Sequence, residues 1–270
     1  MKSLFLIFTI SVISACSSKG EVKSKQASLY FGAGTQSLMQ QQYTEALTSL
    51  LKANELDPNN SDIINNLAMA YYFKGEHDLA IKSLNRSLEI NSNNTDAKVN
   101  LASIYLEDGQ VDKAEDLYKK VLGDLTYDKQ ARTLYNLATI EQKRQNLTAA
   151  AEYYKRSIKE DPNYCPSHFQ IGLMQYKRRQ FNSAYRSFKE SSMGTCYESP
   201  APVYYQALTL IELNKFNEAR IKLDSIETRF KKTKFAVNAR AKLIEINEKE
   251  IKQQNNQTHA SGRVIDSPDF

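Results

Sequence analysis

The chain has 270 residues, 36 Lys and Arg against 31 Asp and Glu, a formal net charge of +5, and 41% hydrophobic residues. That apolar share is too high for a disordered chain and sufficient for one or two folded domains. The positive excess is small and scattered. Its densest run, Lys231-Lys232-Thr233-Lys234, lies outside any nucleic-acid motif and reads as a solvated helix end, so no nucleic-acid partner is expected.

The chain opens on a single Lys2 followed by an apolar segment from Leu4 to Ile13. The segment is too short to span a bilayer as a helix but has the length of a secretory leader. It closes on Ile13-Ser14-Ala15-Cys16, which resembles the bacterial lipobox. The resemblance implies that residues 1–15 are a signal peptide and that Cys16 becomes the acylated first residue. The alternative is a plain cleaved leader with a coincidental cysteine. Ser17 and Ser18 stand where an acidic residue would favour inner-membrane retention, so the outer membrane is expected, on its periplasmic side, in a Gram-negative bacterium. Residues 16–26 then read as the lipidated Cys16 and a polar tether.

From residue 27 onward a small residue is followed twelve positions later by Ala: Gly34/Ala46, Ala68/Ala80, Ala102/Ala114, Ala138/Ala150, Gly172/Ala184 and Ala207/Ala219. Leu67 and Leu101 precede the small residue, Tyr71 and Tyr105 follow it by three, and Gly75 and Gly109 mark a turn. Apolar residues at i, i+3, i+4 and i+7 predict two amphipathic helices per unit, crossing closely at the small residues. This is the signature of the tetratricopeptide repeat. It predicts an all-α solenoid, a right-handed superhelix of six repeats over residues 27–232. The units start at Ala27, Ser61, Thr95, Ala131, Cys165 and Pro200, with a two-residue insertion near Gly123-Asp124.

Beyond the sixth unit, residues 233–252 read as a single helix that caps the last apolar face, with Val237, Ala241, Ile244 and Glu248 suggesting that face. Residues 253–270 are polar and aperiodic, which predicts a disordered tail.

Cys165 and Cys196 fall at the start and near the end of unit five. An antiparallel helix pair brings those points to one side of the layer, so an oxidising compartment would favour a disulfide, with two free thiols as the alternative. No base and orienter accompany either thiol at a recognisable spacing, and His77, His168 and His259 have no metal-ligand spacing. The expectation is a protein without enzymatic activity, cofactor, metal or small-molecule substrate.

In this repeat the first helices line the concave face. The groove positions carry Phe31, Met69, Tyr72, Phe73, Tyr135, Phe169, Tyr176 and Tyr204. Such aromatics either anchor a helix or extended peptide of a protein partner or pack between neighbouring first helices. Asn65, Met69, Val99 and Ser103 stand where a chaperone-tail receptor has its Lys/Asn clamp, which argues against that class.

The lipobox, tether and six repeats resemble the type IV pilus biogenesis and stability lipoproteins, the pilotin family. The similarity is carried by the lengthened linker from Gly123 towards Asn136, by Asp161-Pro162 and by Tyr176 to Phe181. The chain departs from the family pattern at Lys98-Val99-Asn100-Leu101-Ala102 and in the placing of its cysteines. The resemblance implies a lipid-anchored adaptor that binds an outer-membrane secretin and aids its assembly, localisation or stability. The alternatives are a periplasmic scaffold for cell-wall enzymes or a subunit of the outer-membrane protein assembly machinery.

Overall fold

A computed structural model describes the backbone of residues 2–261 and the side chains of residues 20–251 other than Thr195. The side chain of Cys16 and residues 262–270 lie outside the described residues. Among the described residues the regular structure is entirely helical, and the chain divides into two compact units between Lys129 and Gln130.

The first unit holds three helical hairpins: α1 (Lys2–Met39) with α2 (Tyr43–Leu56), α3 (Ser61–Phe73) with α4 (His77–Ile90), and α5 (Thr95–Glu107) with α6 (Val111–Leu122). The second holds α7 (Gln130–Lys143) with α8 (Leu147–Glu160), α9 (Cys165–Lys177) with α10 (Phe181–Glu190), and α11 (Pro200–Glu212) with α12 (Phe216–Arg229). It ends in α13 (Lys234–Ser261). The helix starts carry their own signals. Asn60 accepts from the Asp62 and Ile63 N–H groups and Asn94 from that of Ala97, while Pro166 and Pro200 occupy first-turn positions that need no N–H donor.

The twelve-residue spacing works as a packing rule. Ala46, Ala68, Ala80, Ala102, Ala114, Ala138, Ala150, Ala184, Ala207 and Ala219 are all fully buried where paired helices cross. A Cβ added at Gly34 would stand 2.6 Å from Leu50 Cγ, and one at Gly172 would stand 2.6 Å from Phe188 Cε1, so these two crossings need glycine. Leu50, Leu84, Tyr118, Tyr154, Phe188 and Leu223 fill the same place in successive hairpins and are all fully buried.

Each hairpin turn is the same Schellman motif, in which a left-handed residue lets the next N–H reach back five residues. The bonds run from Gln42 N–H to Ser37 O (2.9 Å), Glu76 to Tyr71 (3.0 Å), Gln110 to Tyr105 (2.7 Å), Asn146 to Glu141 (2.9 Å), Gln180 to Gln175 (2.9 Å) and Lys215 to Leu210 (2.9 Å). The left-handed residue is glycine only at Gly75 and Gly109. Gln41, Gln145, Arg179 and Asn214 take φ between 58° and 63° in the other four. A side chain there costs about 1–2 kcal/mol, which the repeat packing outweighs. The glycine seen in two of the turns is therefore a preference and not the rule of the turn.

Buried polar groups tie hairpins together within each unit. In the first, Asn66 donates to Thr35 Oγ1 (2.8 Å), Asn65 to Asn66 (3.1 Å) and Asn100 to Asn65 (2.9 Å), a ladder across α1, α3 and α5. Ser87 donates to Ser61 O and Ser157 to Ala131 O, both at 2.8 Å, fixing each second helix to the start of its first.

Three expectations need correction. Residues 20–26, expected as a polar tether outside the repeats, are helical and continue into α1, whose run lacks proline. The final helix extends to Ser261, past the expected end near residue 252. Its packed face is Phe235, Ala236, Ala239, Leu243 and Ile246, held by Arg220 to Glu250 (2.7 Å) and Arg240 to Glu227 (2.8 Å). Val237 and Ile244, expected on the packed face, are 67% and 57% exposed.

Candidate functional site

Within each unit the first helices of neighbouring hairpins adjoin one another, α1 with α3 and α3 with α5 in the first and α9 with α11 in the second, and the side they share is that unit's inner face. In the first unit the expected positions gather at the end of α3. The Tyr72 hydroxyl donates to the Glu107 carboxylate of the next first helix, and its ring lies 5.1 Å from His77. The His77 Nδ1 lies 3.8 Å from Asp108. Phe73 stacks on Tyr43 with centroids 4.7 Å apart and remains 46% exposed. Met69 is half-buried, whereas Phe31 packs against Ala27, Ala53, Ile63 and Leu67 between hairpins.

The hydrogen bond to Glu107, with burial and the Glu107 charge, pushes the Tyr72 hydroxyl up to about 12 from its ordinary 10.0. The folded value lies above the unfolded one, so the contact contributes fully below pH 10.0 and is lost as pH rises towards 12. Glu107→Gln should move this ionisation back towards the ordinary value. The check is the tyrosinate absorbance change that disappears in Tyr72→Phe; an unmoved titration would disconnect the pair.

In the second unit the expected aromatics meet one another and their neighbours. Tyr135 lies 5.5 Å from Tyr154 and 5.8 Å from Tyr164. Phe169 lies 5.7 Å from Phe188 and 5.5 Å from Tyr205. Tyr176 lies 5.5 Å from Phe181, and Tyr204 lies 5.5 Å from Phe235 of α13. All four are half-buried. Burial is the main cause of the upward shift of the Tyr176 and Tyr204 hydroxyls.

Sequence reasoning missed Tyr205, which touches Phe169, Tyr176, Phe188 and Tyr204 and so joins the cluster. It also missed Lys242 and Glu245, which border Tyr204 from α13; Lys242 and Lys249 hold the Glu245 carboxyl below its usual range. The Tyr204-Tyr205 doublet was the available signal for the first, and nothing in the repeat pattern reached the second. What the inner face offers is aromatic surface, aliphatic surface and protonated donors, the chemistry of a docking surface.

Cys165 and Cys196 form a disulfide with Cα atoms 6.1 Å apart, joining the start of α9 to the turn Gly194–Cys196 before α11. It fixes the longest linker of the second unit to the first turn of α9, the helix that carries Phe169 and Tyr176.

Hairpins with these crossings and turns have the tetratricopeptide-repeat fold, and residues 59–123 and 93–159 match the family described as tetratricopeptide repeat, with residues 38–75 matching a further TPR repeat description. Among solved structures the chain is similar to that of pilF from Pseudomonas aeruginosa, with a TM-score of 0.68 at 18% identity, over 82% of this chain and 99% of that one. It is similar to PilW, a widely conserved type IV pilus biogenesis factor, with a TM-score of 0.64 at 18% identity, over 77% of this chain and 96% of that one. A chain of the APC/C hetero-tetramer Cut9-Hcn1 gives a TM-score of 0.68 at 14% identity, over 85% of this chain but 46% of that one. No curated protein matches the sequence. At these identities the likeness establishes the fold.

Proposed function

We propose that this chain is a non-catalytic adaptor of the bacterial cell envelope. It is lipid-anchored through Cys16 at the periplasmic side of the outer membrane, and its inner face holds a segment of an outer-membrane secretin, promoting assembly, localisation or stability of the type IV pilus secretin. The observation that carries the reading is extent. The chain spans 99% and 96% of the two pilus-related structures but 46% of the Cut9-Hcn1 chain, so the match to the former covers a whole molecule and to the latter a segment. The lipobox-like Ile13-Ser14-Ala15-Cys16 supplies the membrane. Two or three acyl chains hold firmly where one holds marginally, at about 0.8 kcal/mol per buried CH₂. Among the described residues no helix is long and apolar enough to cross a membrane.

Cys16→Ser should therefore leave the repeats folded but release the protein from floated outer membranes, with a fall in secretin multimers. Retention in salt-washed membranes would remove the anchor from the account.

A further inference from the structure

Beside the inner-face aromatics, the second unit carries a recess that the adaptor reading does not by itself explain. Leu147, 48% exposed at the start of α8, faces Leu173 and Met174 of α9 across a cavity of about 130 Å³. That is close to the volume that admits one benzene-sized apolar group. Gln142 stands at its wall; the carbonyl accepts from the Tyr154 hydroxyl (2.8 Å), leaving the amide N–H groups to donate elsewhere.

One edge of the recess is cationic. Lys177 and Arg178 border it and Arg179 follows, all three exposed. None has an acidic partner among the described residues, whereas Lys215, Arg220, Arg240 and Lys242 of the same unit are each paired with a glutamate. Arg179 occupies the left-handed turn position at φ 58°, as Gln41, Gln145 and Asn214 do in other hairpins.

We propose that this recess docks an acidic protein segment presenting one aliphatic side chain. The aliphatic group enters between Leu147, Leu173 and Met174, the flanking carboxylates meet Lys177, Arg178 and Arg179, and Gln142 donates to the segment's main chain. Charge complementarity selects the acid, and the concave apolar floor selects a protruding side chain. A bilayer surface would need apolar groups that project outward, and a nucleic-acid strand would need aromatic faces for stacking, which this recess lacks. The proposal rests on the adaptor reading, since it names the chemistry of a segment the protein would hold.

The test uses the purified protein and fluorescein-labelled peptides of sequence Glu-Asp-Leu-Glu-Asp, with two controls: Leu replaced by Ser, and the acids replaced by their amides. Anisotropy should show binding of the first peptide and loss of about tenfold or more in affinity with either control. The triple change Lys177→Ala, Arg178→Ala and Arg179→Ala should cause a similar loss. So should Leu147→Ser, chosen because an exposed position tolerates it, with circular dichroism unchanged in both variants. Binding that ignores the leucine, survives the triple change or is absent in the native protein would overturn the proposal. Capture of phosphatidylglycerol vesicles without capture of the peptide would overturn it in favour of a lipid surface. Peptide binding by a protein whose loss leaves secretin multimers unchanged would keep the recess and remove the pilus assignment.

Discussion

Replacing Phe188 by Ala is expected to lower the stability of the second unit by about 3–5 kcal/mol. Phe188 is fully buried, its ring touches Phe169 and Tyr205, and its carbonyl accepts from Gln206 at 3.0 Å. The same ring covers Gly172, where an added Cβ would lie 2.6 Å from it. Gly172→Ala should therefore cost about 1–3 kcal/mol through steric strain. Its better helix propensity would offset roughly 0.5–1 kcal/mol of this. Elsewhere the same crossing is built from Ala with Leu, at Ala68/Leu84 and Ala207/Leu223. The double change Gly172→Ala with Phe188→Leu rebuilds that pair, so its loss should be smaller than the sum of the two single changes. Denaturant unfolding reads all three; strictly additive losses would mean that the two positions are not one packing unit.

The second large effect belongs to the disulfide. Cys165 opens α9 and is 1% exposed, and Cys196 ends the short turn in the linker between α10 and α11. The linker has other ties: Arg229 lies 4.3 Å over the Tyr197 ring and donates to its carbonyl at 3.3 Å. These are exposed contacts of small worth. Closing a loop of 31 residues removes far more freedom from the unfolded chain, about 3–4 kcal/mol in the chain-entropy account. Cys196→Ser, or reduction of the native protein, should lower the unfolding midpoint of the second unit and open residues 191–199 to proteolysis, while the first unit is unaffected. An unchanged midpoint, with both thiols freely alkylated in protein taken from its native compartment, would remove the staple.

The helices were largely legible because one constraint repeats. A small residue at each crossing and an Ala twelve positions on fix both helices of a hairpin, and α3, α5, α9 and α11 begin at the expected Ser61, Thr95, Cys165 and Pro200. The turns were less legible because a Schellman turn needs a conformation and not a residue, and Gln41, Gln145, Arg179 and Asn214 adopt it without glycine. The packed face of α13 was misread for a similar reason. Val237, Ala241 and Ile244 have helical spacing, but so do Ala236, Ala239, Leu243 and Ile246, and only contact with α11 and α12 decides between the two stripes. The aromatics of the inner face were placed on the right helices, but their division between packing and surface depends on Tyr205, Phe235 and Tyr43, which no single repeat contains.

The central claim is that the inner face holds a secretin segment. It is tested most directly by placing a photo-crosslinking amino acid at Met69 or Phe73 in the first unit and at Tyr176 in the second, with Leu79 as the control. Leu79 is 43% exposed in α4, among the second helices of the first unit, so access alone does not distinguish it from the other positions. In cells that assemble type IV pili, the account predicts that the secretin is captured from the three inner-face positions and not from Leu79. Capture of the secretin from Leu79 alone, or of a cell-wall enzyme from the inner face, would contradict it.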